Sequence, residues 1–287
     1  MAILIGWAIV LAMVFGGFLL AGGNFEIILH SLPFEFMIIF GGACGAYVVA
    51  NRGHWLKATL TGLKTAFKGS KFKKKDYIDL LCLLYQLIKM AKQKGLIAIE
   101  PHIENPAESE IFQKYPKIMH DHFAVDLICD TFRMVTMSLE DPHQIENHME
   151  RQIEKHHHEA LHVPHALQGM SDGLPAIGIV AAVLGVIKTM GHIDAEVTVL
   201  GGMIGGALVG TFLGVFLSYL MVGPISSRLT EITEEDGSFY NIIRDVMVGY
   251  LHGQAVQIAV ENGRASVPTI LQPTFFELEE AFNNLTT

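Results

Sequence analysis

The sequence predicts an all-α membrane protein. Four transmembrane helices are arranged two plus two, a large helical cytoplasmic domain is inserted between helices 2 and 3, and a helical cytoplasmic tail follows. Three observations lead there. First, 51% of the 287 residues are hydrophobic while 17% are charged, too apolar for an ordinary soluble chain and too charged for one wholly in lipid. Second, the apolar residues gather in four runs, and a helix needs about 20 residues to cross the hydrocarbon core. Third, of the 20 Lys and Arg residues, 16 lie between Arg52 and Lys155, and cytoplasmic flanks collect such charges.

The first run, residues 2–21, is preceded by no Lys or Arg. It lacks the basic start of a secretory signal and is expected to remain as a helix. The second run, residues 36–49 with their flanks, is the shortest. Residues 22–33 and 192–197 contain no Lys or Arg, so these loops are expected on the non-cytoplasmic side. Both termini are then cytoplasmic. The expected division is 1–51 for helices 1 and 2, 52–171 for the cytoplasmic domain, 172–222 for helices 3 and 4, and 223–287 for the tail. The cluster Lys71, Lys73, Lys74 and Lys75 fits a topology signal on a solvated face and is also compatible with anionic headgroups.

Within the cytoplasmic domain, Ile78, Leu81, Tyr85 and Ile88 recur at helical spacing, and Lys89, Lys92 and Lys94 precede Gly95, the usual signature of a helix C-terminus. Asn105-Pro106-Ala107-Glu108 predicts the start of another helix, with Asn as cap and Pro at the first position. Pro116 interrupts it. A further helix is expected over residues 117–137, and Asp141-Pro142-His143-Gln144 opens one reaching Leu161. The tail predicts one long helix over residues 226–261, then a short acidic amphipathic piece over 275–282. No alternating pattern long enough for a strand competes.

Several functions are excluded. The net charge of −9 does not suit nucleic-acid binding, although acidic patches suit a basic protein surface. His156, His157, His158, His162 and His165 resemble a metal cluster, but three consecutive helical residues point three ways. Cys44, Cys82 and Cys129 lack ligand spacing and read as buried thiols. With no phosphate-cradling loop, serine elbow or zinc motif, neither enzymatic activity nor a cofactor is expected.

The most informative part is the hairpin made by residues 174–191 and 198–221. Gly202, Gly206, Gly210 and Gly214 recur every fourth residue, a smooth stripe that lets helices approach closely. Gly178, Ala181, Ala182 and Gly185 make the facing run similarly small. A helix–helix surface, between subunits, is the favoured reading. Thr211 lies roughly 15 Å from the cytoplasmic edge and Ala182 roughly 12 Å, from the helical rise. Pro175 falls in an expected first helical turn and Pro224 at a helix end, where proline is tolerated. The boundary charges are Glu35, Asp172 and Lys188. With nothing acidic between them, the hairpin cannot carry a proton alone, so a partner must supply the ionisable group.

Leu174-Pro175-Ala176-Ile177-Gly178-Ile179-Val180-Ala181-Ala182-Val183-Leu184-Gly185, Leu208-Val209-Gly210-Thr211-Phe212-Leu213-Gly214, and Ile103-Glu104-Asn105-Pro106 with Glu108-Ser109 resemble the MotA/PomA family of bacterial flagellar stator proteins. Gly16-Gly17 through Gly22-Gly23 and Phe275-Phe276-Glu277-Leu278-Glu279 match as well, so the resemblance runs nearly the full length in order. It implies an inner-membrane ring, understood as a homopentamer, around a dimer of MotB-type subunits whose aspartate binds the transported ion. It also implies torque on the rotor protein FliG. By position, Pro175 and Pro224 resemble the prolines that couple ion binding to motion, and Thr211 the threonine facing the partner's aspartate. Lys92 and Glu100 resemble the rotor-engaging pair, with Lys where Arg is commoner, which keeps the charge but loses the planar fork. Sodium-type relatives tend to place a threonine at the position of Ala182. A methyl group there fits proton transfer, because a proton needs no coordination shell. The alternatives are an ExbB/TolQ-type energiser of outer-membrane transport, usually with three spans, and a non-conducting membrane scaffold.

Overall fold

The computed structural model describes residues 2–137 and 141–285. All regular structure among them is helical. In order, the helices are α1 (Ala2–Leu20), α2 (Phe25–Ala50), α3 (Gly53–Lys68), α4 (Lys74–Lys94), α5 (Glu100–Glu104), α6 (Glu110–Gln113) and α7 (Pro116–Met119). There follow α8 (His122–Thr136), α9 (Pro142–Ala160), α10 (His162–Met190), α11 (Val197–Phe216), α12 (Gly223–Leu251), α13 (Val256–Ala265) and α14 (Phe275–Leu285). The chain forms two compact units, Met1–Gly69 with Leu161–Ile232 and Ser70–Ala160 with Thr233–Thr287.

The first unit contains four helices long and apolar enough to cross a membrane. Helices α2, α10 and α11 share a small core of Ile39, Ala43, Leu174, Ala181 and Leu213. Ala66 of α3 packs with Val163, Leu167 and Leu229 in a second cluster. Leu4, Ile5, Met37, Leu184 and Leu208 remain exposed, as suits helices whose outer faces meet lipid or other helices.

Three features of this unit differ from expectation. Helix α2 begins at Phe25 instead of near Phe36, because the side chain of Asn24 caps it, accepting from the Glu26 N–H at 2.8 Å. Glu26, His30 and Pro33 depress the hydropathy of that first stretch and hide it from a composition scan. The preceding loop shrinks to a few residues turning at Gly22, whose φ of 81° suits glycine. Helix α10 starts well before its apolar run, so Pro175 is inside the helix and not in its first turn. Helix α11 passes through a π-helical stretch, Leu217–Val222, straight into α12. Pro224 therefore does not mark a helix end.

The second unit is built around α4. Tyr77, Leu80, Leu81, Leu83, Leu84, Leu87 and Ile88 are buried there with Phe112, Ile128, Phe132, Phe239 and Met247. Asp76 caps α4, accepting from the Lys73 N–H at 2.7 Å, and also pairs with Lys117. Asp121 caps α8, accepting from the Ala124 N–H at 3.1 Å, the Lys71 ammonium at 2.8 Å and the Tyr240 hydroxyl at 3.0 Å. Burial raises the Asp121 pKa, but these donors, led by Lys71, leave it below the usual carboxylate value. Cys82 and Cys129 are buried, and burial pushes both thiols up to about 12.

The loop-rich part of this unit also corrects the sequence reading. Residues 105–116 do not form one helix from an Asn105 cap. Pro106–Glu108 is a short 3-10 turn and Ser109 caps α6, its hydroxyl accepting from the Phe112 N–H. Pro116 opens α7, and Asp121 then starts α8, so the single helix expected over 117–137 is two. The tail helix stops at Leu251 and not Glu261. Gly253 takes a left-handed φ of 77°, which no helix interior accommodates.

Candidate functional site

The site grows from the close approach of α10 and α11. A methyl group placed on Gly178 would lie 2.9 Å from the Gly210 carbonyl oxygen, and one on Gly214 would lie 2.7 Å from that of Leu174. The two backbones therefore touch, which only small residues permit. Helix α2 joins the same face: a methyl at Gly206 would meet Ser31 Oγ at 2.7 Å, and one at Gly210 would meet Glu35 Oε2 at 2.7 Å. Gly206, Gly210 and Gly214 thus pack against α2 and α10 of the same chain. Gly202 alone of the stripe is open, with nothing within 4 Å.

The same contacts bring Gly210 to Ala181 and Ala182. Its methyl position lies 3.1 Å from Ala181 Cβ and 3.2 Å from the Ala182 nitrogen. Half-buried Thr211 follows directly. Glu35, Ala182 and the Gly210–Thr211 pair consequently share one level of the helix packing.

Glu35 is the residue that sequence reasoning misplaced. It was expected at the membrane boundary, but it sits inside α2 and is only 8% exposed. The hairpin itself carries no carboxylate at this level, yet a neighbouring helix of the same chain supplies one. Asn24 was the available signal. A helix capped there puts Glu35 ten residues, or about 15 Å, past the first residue of the helix.

Toward the other end of the hairpin, the prolines flank a hydroxyl crossing. Pro175 has no N–H to offer the Ser171 carbonyl, one turn earlier. The Ser171 hydroxyl donates to the Ser218 carbonyl at 3.0 Å and lies 3.3 Å from the Ser218 hydroxyl. That same carbonyl accepts the Gly223 N–H, five residues on, as a π-helical turn requires. A methyl on Gly223 would fall 3.2 Å from Ser171 Oγ, so glycine keeps the crossing tight. Pro224 follows, again without a donor.

In the second unit, Lys92 donates to the carbonyls of Gly253, at 3.3 Å, and Gln254. Its ammonium lies 5.9 Å from the centre of the Tyr250 ring, placing positive charge at the end of α12. Glu100 opens α5 and is exposed. The histidines diverge. His156 stacks on Phe123 at 3.9 Å, His157 lies beside Gly237, and His162 stacks on Trp55 at 4.0 Å. Among the described residues, no three His, Cys, Asp or Glu side chains are grouped to hold a metal.

Residues 4–95 match the family described as Motility protein A N-terminal, and residues 117–239 match the MotA/TolQ/ExbB proton channel family. The chain is 40% identical to motility protein A of Escherichia coli and 38% identical to that of Salmonella typhimurium. Each match covers 98% of this chain and 94% of the relative. It is 33% identical to the chemotaxis protein LafT of Vibrio parahaemolyticus, over 96% of both chains. In fold it resembles a chain of C. jejuni MotAB, with a TM-score of 0.72 and 20% identity over 93% of this chain and 96% of that one. It likewise resembles a chain of the flagellar MotAB stator complex from Bacillus subtilis, with a TM-score of 0.71 and 21% identity over 94% and 98%. The chain is an all-helical multi-pass membrane protein and belongs to the MotA family of flagellar motor stator proteins.

Proposed function

We propose that this chain is the A-subunit of a flagellar stator. With a MotB-type partner it forms a proton channel in the bacterial inner membrane, with both termini cytoplasmic, and proton flow through it becomes torque on the rotor protein FliG. The observation that carries this reading is 40% identity to a motility protein A across nearly the whole of both chains. That similarity also favours a stator over an ExbB/TolQ-type energiser or an inert scaffold. A homopentameric ring around the partner is part of the same reading, as is engagement of the rotor by Lys92 and Glu100.

The geometry suits the task. Thr211 offers a hydroxyl at the level where the partner's carboxylate is expected. Ala182 offers no oxygen to a metal cation there, which favours protons over sodium. Pro175 and Pro224 lie where backbone hydrogen bonds are already missing, so the hairpin bends with little further loss. Thr211→Ala and Pro175→Ala test this reading when expressed with the partner. Both are expected to insert in the membrane at normal levels while swimming and proton flux fall. Normal swimming by both variants overturns the channel reading, and swimming speed that follows external sodium at fixed pH overturns the choice of ion.

A further inference from the structure

Glu35 has no place in the proposed function so far, yet it is the most unusual polar side chain of the first unit. Its Oε2 is the one buried side-chain nitrogen or oxygen among the described residues that lacks a hydrogen-bond partner. A carboxyl group buried without a partner in a membrane helix is costly to keep, and such groups mark ion and proton pathways. The burial is also specifically accommodated. Gly210 faces the carboxyl, where a methyl would lie 2.7 Å from Oε2, 3.1 Å from Ala181 Cβ and 3.2 Å from the Ala182 nitrogen, so glycine leaves the side chain its room.

A cavity of about 650 Å³ leads to this group. It lies among α2, α10 and α11, and its polar lining is Glu26, His30, Ser31, Glu35 and Lys188. Glu26 is the second residue of α2 and Lys188 lies in the last turn of α10, so the cavity starts at the end of the bundle formed by the short loops. It ends beside Ala181, Gly206 and Glu35. The volume and the polar groups suit a string of waters. The titratable groups facing it are Glu26 and His30 from α2 and Lys188 from α10, whereas α11 adds none to the lining.

We propose that Glu35 is a proton-carrying residue of the channel, taking a proton from water in this cavity and passing it on at the level of Thr211. A hydronium ion in the cavity gives its proton to the Glu35 carboxylate, leaving water and a neutral carboxylic acid. The O–H bond of that acid then breaks as a new O–H bond forms on the partner's carboxylate, and Glu35 is again ionised. The proposal rests on the reading of the chain as one half of a proton channel.

The test is proton flux into vesicles holding the complete complex of this chain and its MotB-type partner, measured with a pH-sensitive dye under an imposed gradient. Glu35→Gln keeps the shape and removes the titratable proton, while Glu35→Asp keeps the proton. With the complex assembled, Glu35→Gln is expected to lower the flux about a hundredfold, the usual scale for a positioned proton-transfer group, and Glu35→Asp to restore most of it. Flux unchanged in Glu35→Gln, or equally low in both variants, overturns the proposal and makes Glu35 a packing residue. Where Glu35→Gln does not assemble, the pH profile of Glu35→Asp decides: a displaced profile supports the relay and a superimposable one overturns it. A wild-type complex that moves no protons overturns the channel reading itself. Normal flux in both wild type and Glu35→Gln removes only the relay.

Discussion

Gly214→Ala probes the closest backbone approach in the hairpin. Its new methyl would lie 2.7 Å from the Leu174 carbonyl oxygen and 2.8 Å from Gly178 Cα. Both are backbone atoms in the interior of α10, and neither can swing aside as a flexible side chain would. Bringing the tighter contact out to 3.4 Å needs the helices to part by roughly 0.7 Å. Such a shift forfeits a quarter to a half of the contact energy of the atoms around it, and forced overpacking of this kind costs about 1–3 kcal/mol. Gly202→Ala is the control, because nothing lies within 4 Å of that position. Both variants gain the same intrinsic helix propensity, about 1 kcal/mol, so the difference between them isolates the collision. In detergent-solubilised protein, Tm of Gly214→Ala is expected to fall below that of Gly202→Ala by roughly 2–4 °C per kcal/mol. Equal melting of the two refutes the claim that α10 and α11 are in backbone contact at Gly214.

Two further outcomes concern the second unit. Burial, and after it the nearby Lys71 charge, lowers the pKa of His156 below its ordinary value of 6.5. The unfolded chain then binds the proton more readily, so the stability contributed by neutral His156 is complete above pH 6.5 and is lost as pH falls through the lower folded pKa. Denaturant melts at successive pH values should show this loss, and His156→Phe should remove it. Charge reversal at Lys92 or Glu100 is expected to impair swimming and to be rescued by the opposite change in the rotor protein. Lys92→Glu should in addition lower stability by about 0.5–1 kcal/mol by placing an anion at the end of α12, and Glu100→Lys by about 0.3 kcal/mol by replacing the acidic side chain in the first turn of the short helix α5.

The sequence made the four-span plan legible because lipid imposes one overriding requirement, a long apolar run. It was least legible where polar residues sit inside a membrane helix. Glu26, His30 and Pro33 look like a loop to a hydropathy scan, yet in α2 they follow a good Asn24 cap, and Glu26 and His30 line a cavity. The prolines misled for a related reason. Proline is tolerated at a helix start, and the simplest expectation placed Pro175 and Pro224 at helix ends. In fact both lie inside continuous helices, Pro175 one turn after the Ser171 crossing and Pro224 directly after the π-helical turn. The glycine stripe shows the limit of periodicity. Spacing four residues apart defines a face, but it does not say whether that face meets its own subunit or another, and here Gly206, Gly210 and Gly214 meet α2 and α10.

The placement of these features bears on how a proton could move a helix. On the proposed function, charge changes occur near Gly210, while bending is easiest near Ser171 and Ser218. Gly214 and Ser218 succeed Gly210 at four-residue intervals, so the two levels are separated by about 12 Å along α11. Over that distance Gly214 holds α11 against Gly178 and Leu174 of α10 at backbone contact. Two helices touching backbone to backbone have no soft side chains between them to absorb a small displacement. On the proposed function, a shift at the upper level would reach the lower one through this backbone contact. There the Ser171 carbonyl has lost its usual partner to Pro175, and the Ser218 carbonyl already accepts both the Gly223 N–H and the Ser171 hydroxyl. Helices kink at such places. On the same reading, a rigid segment ending in a pliant one would pass a local change of charge to the next element along the chain, α12.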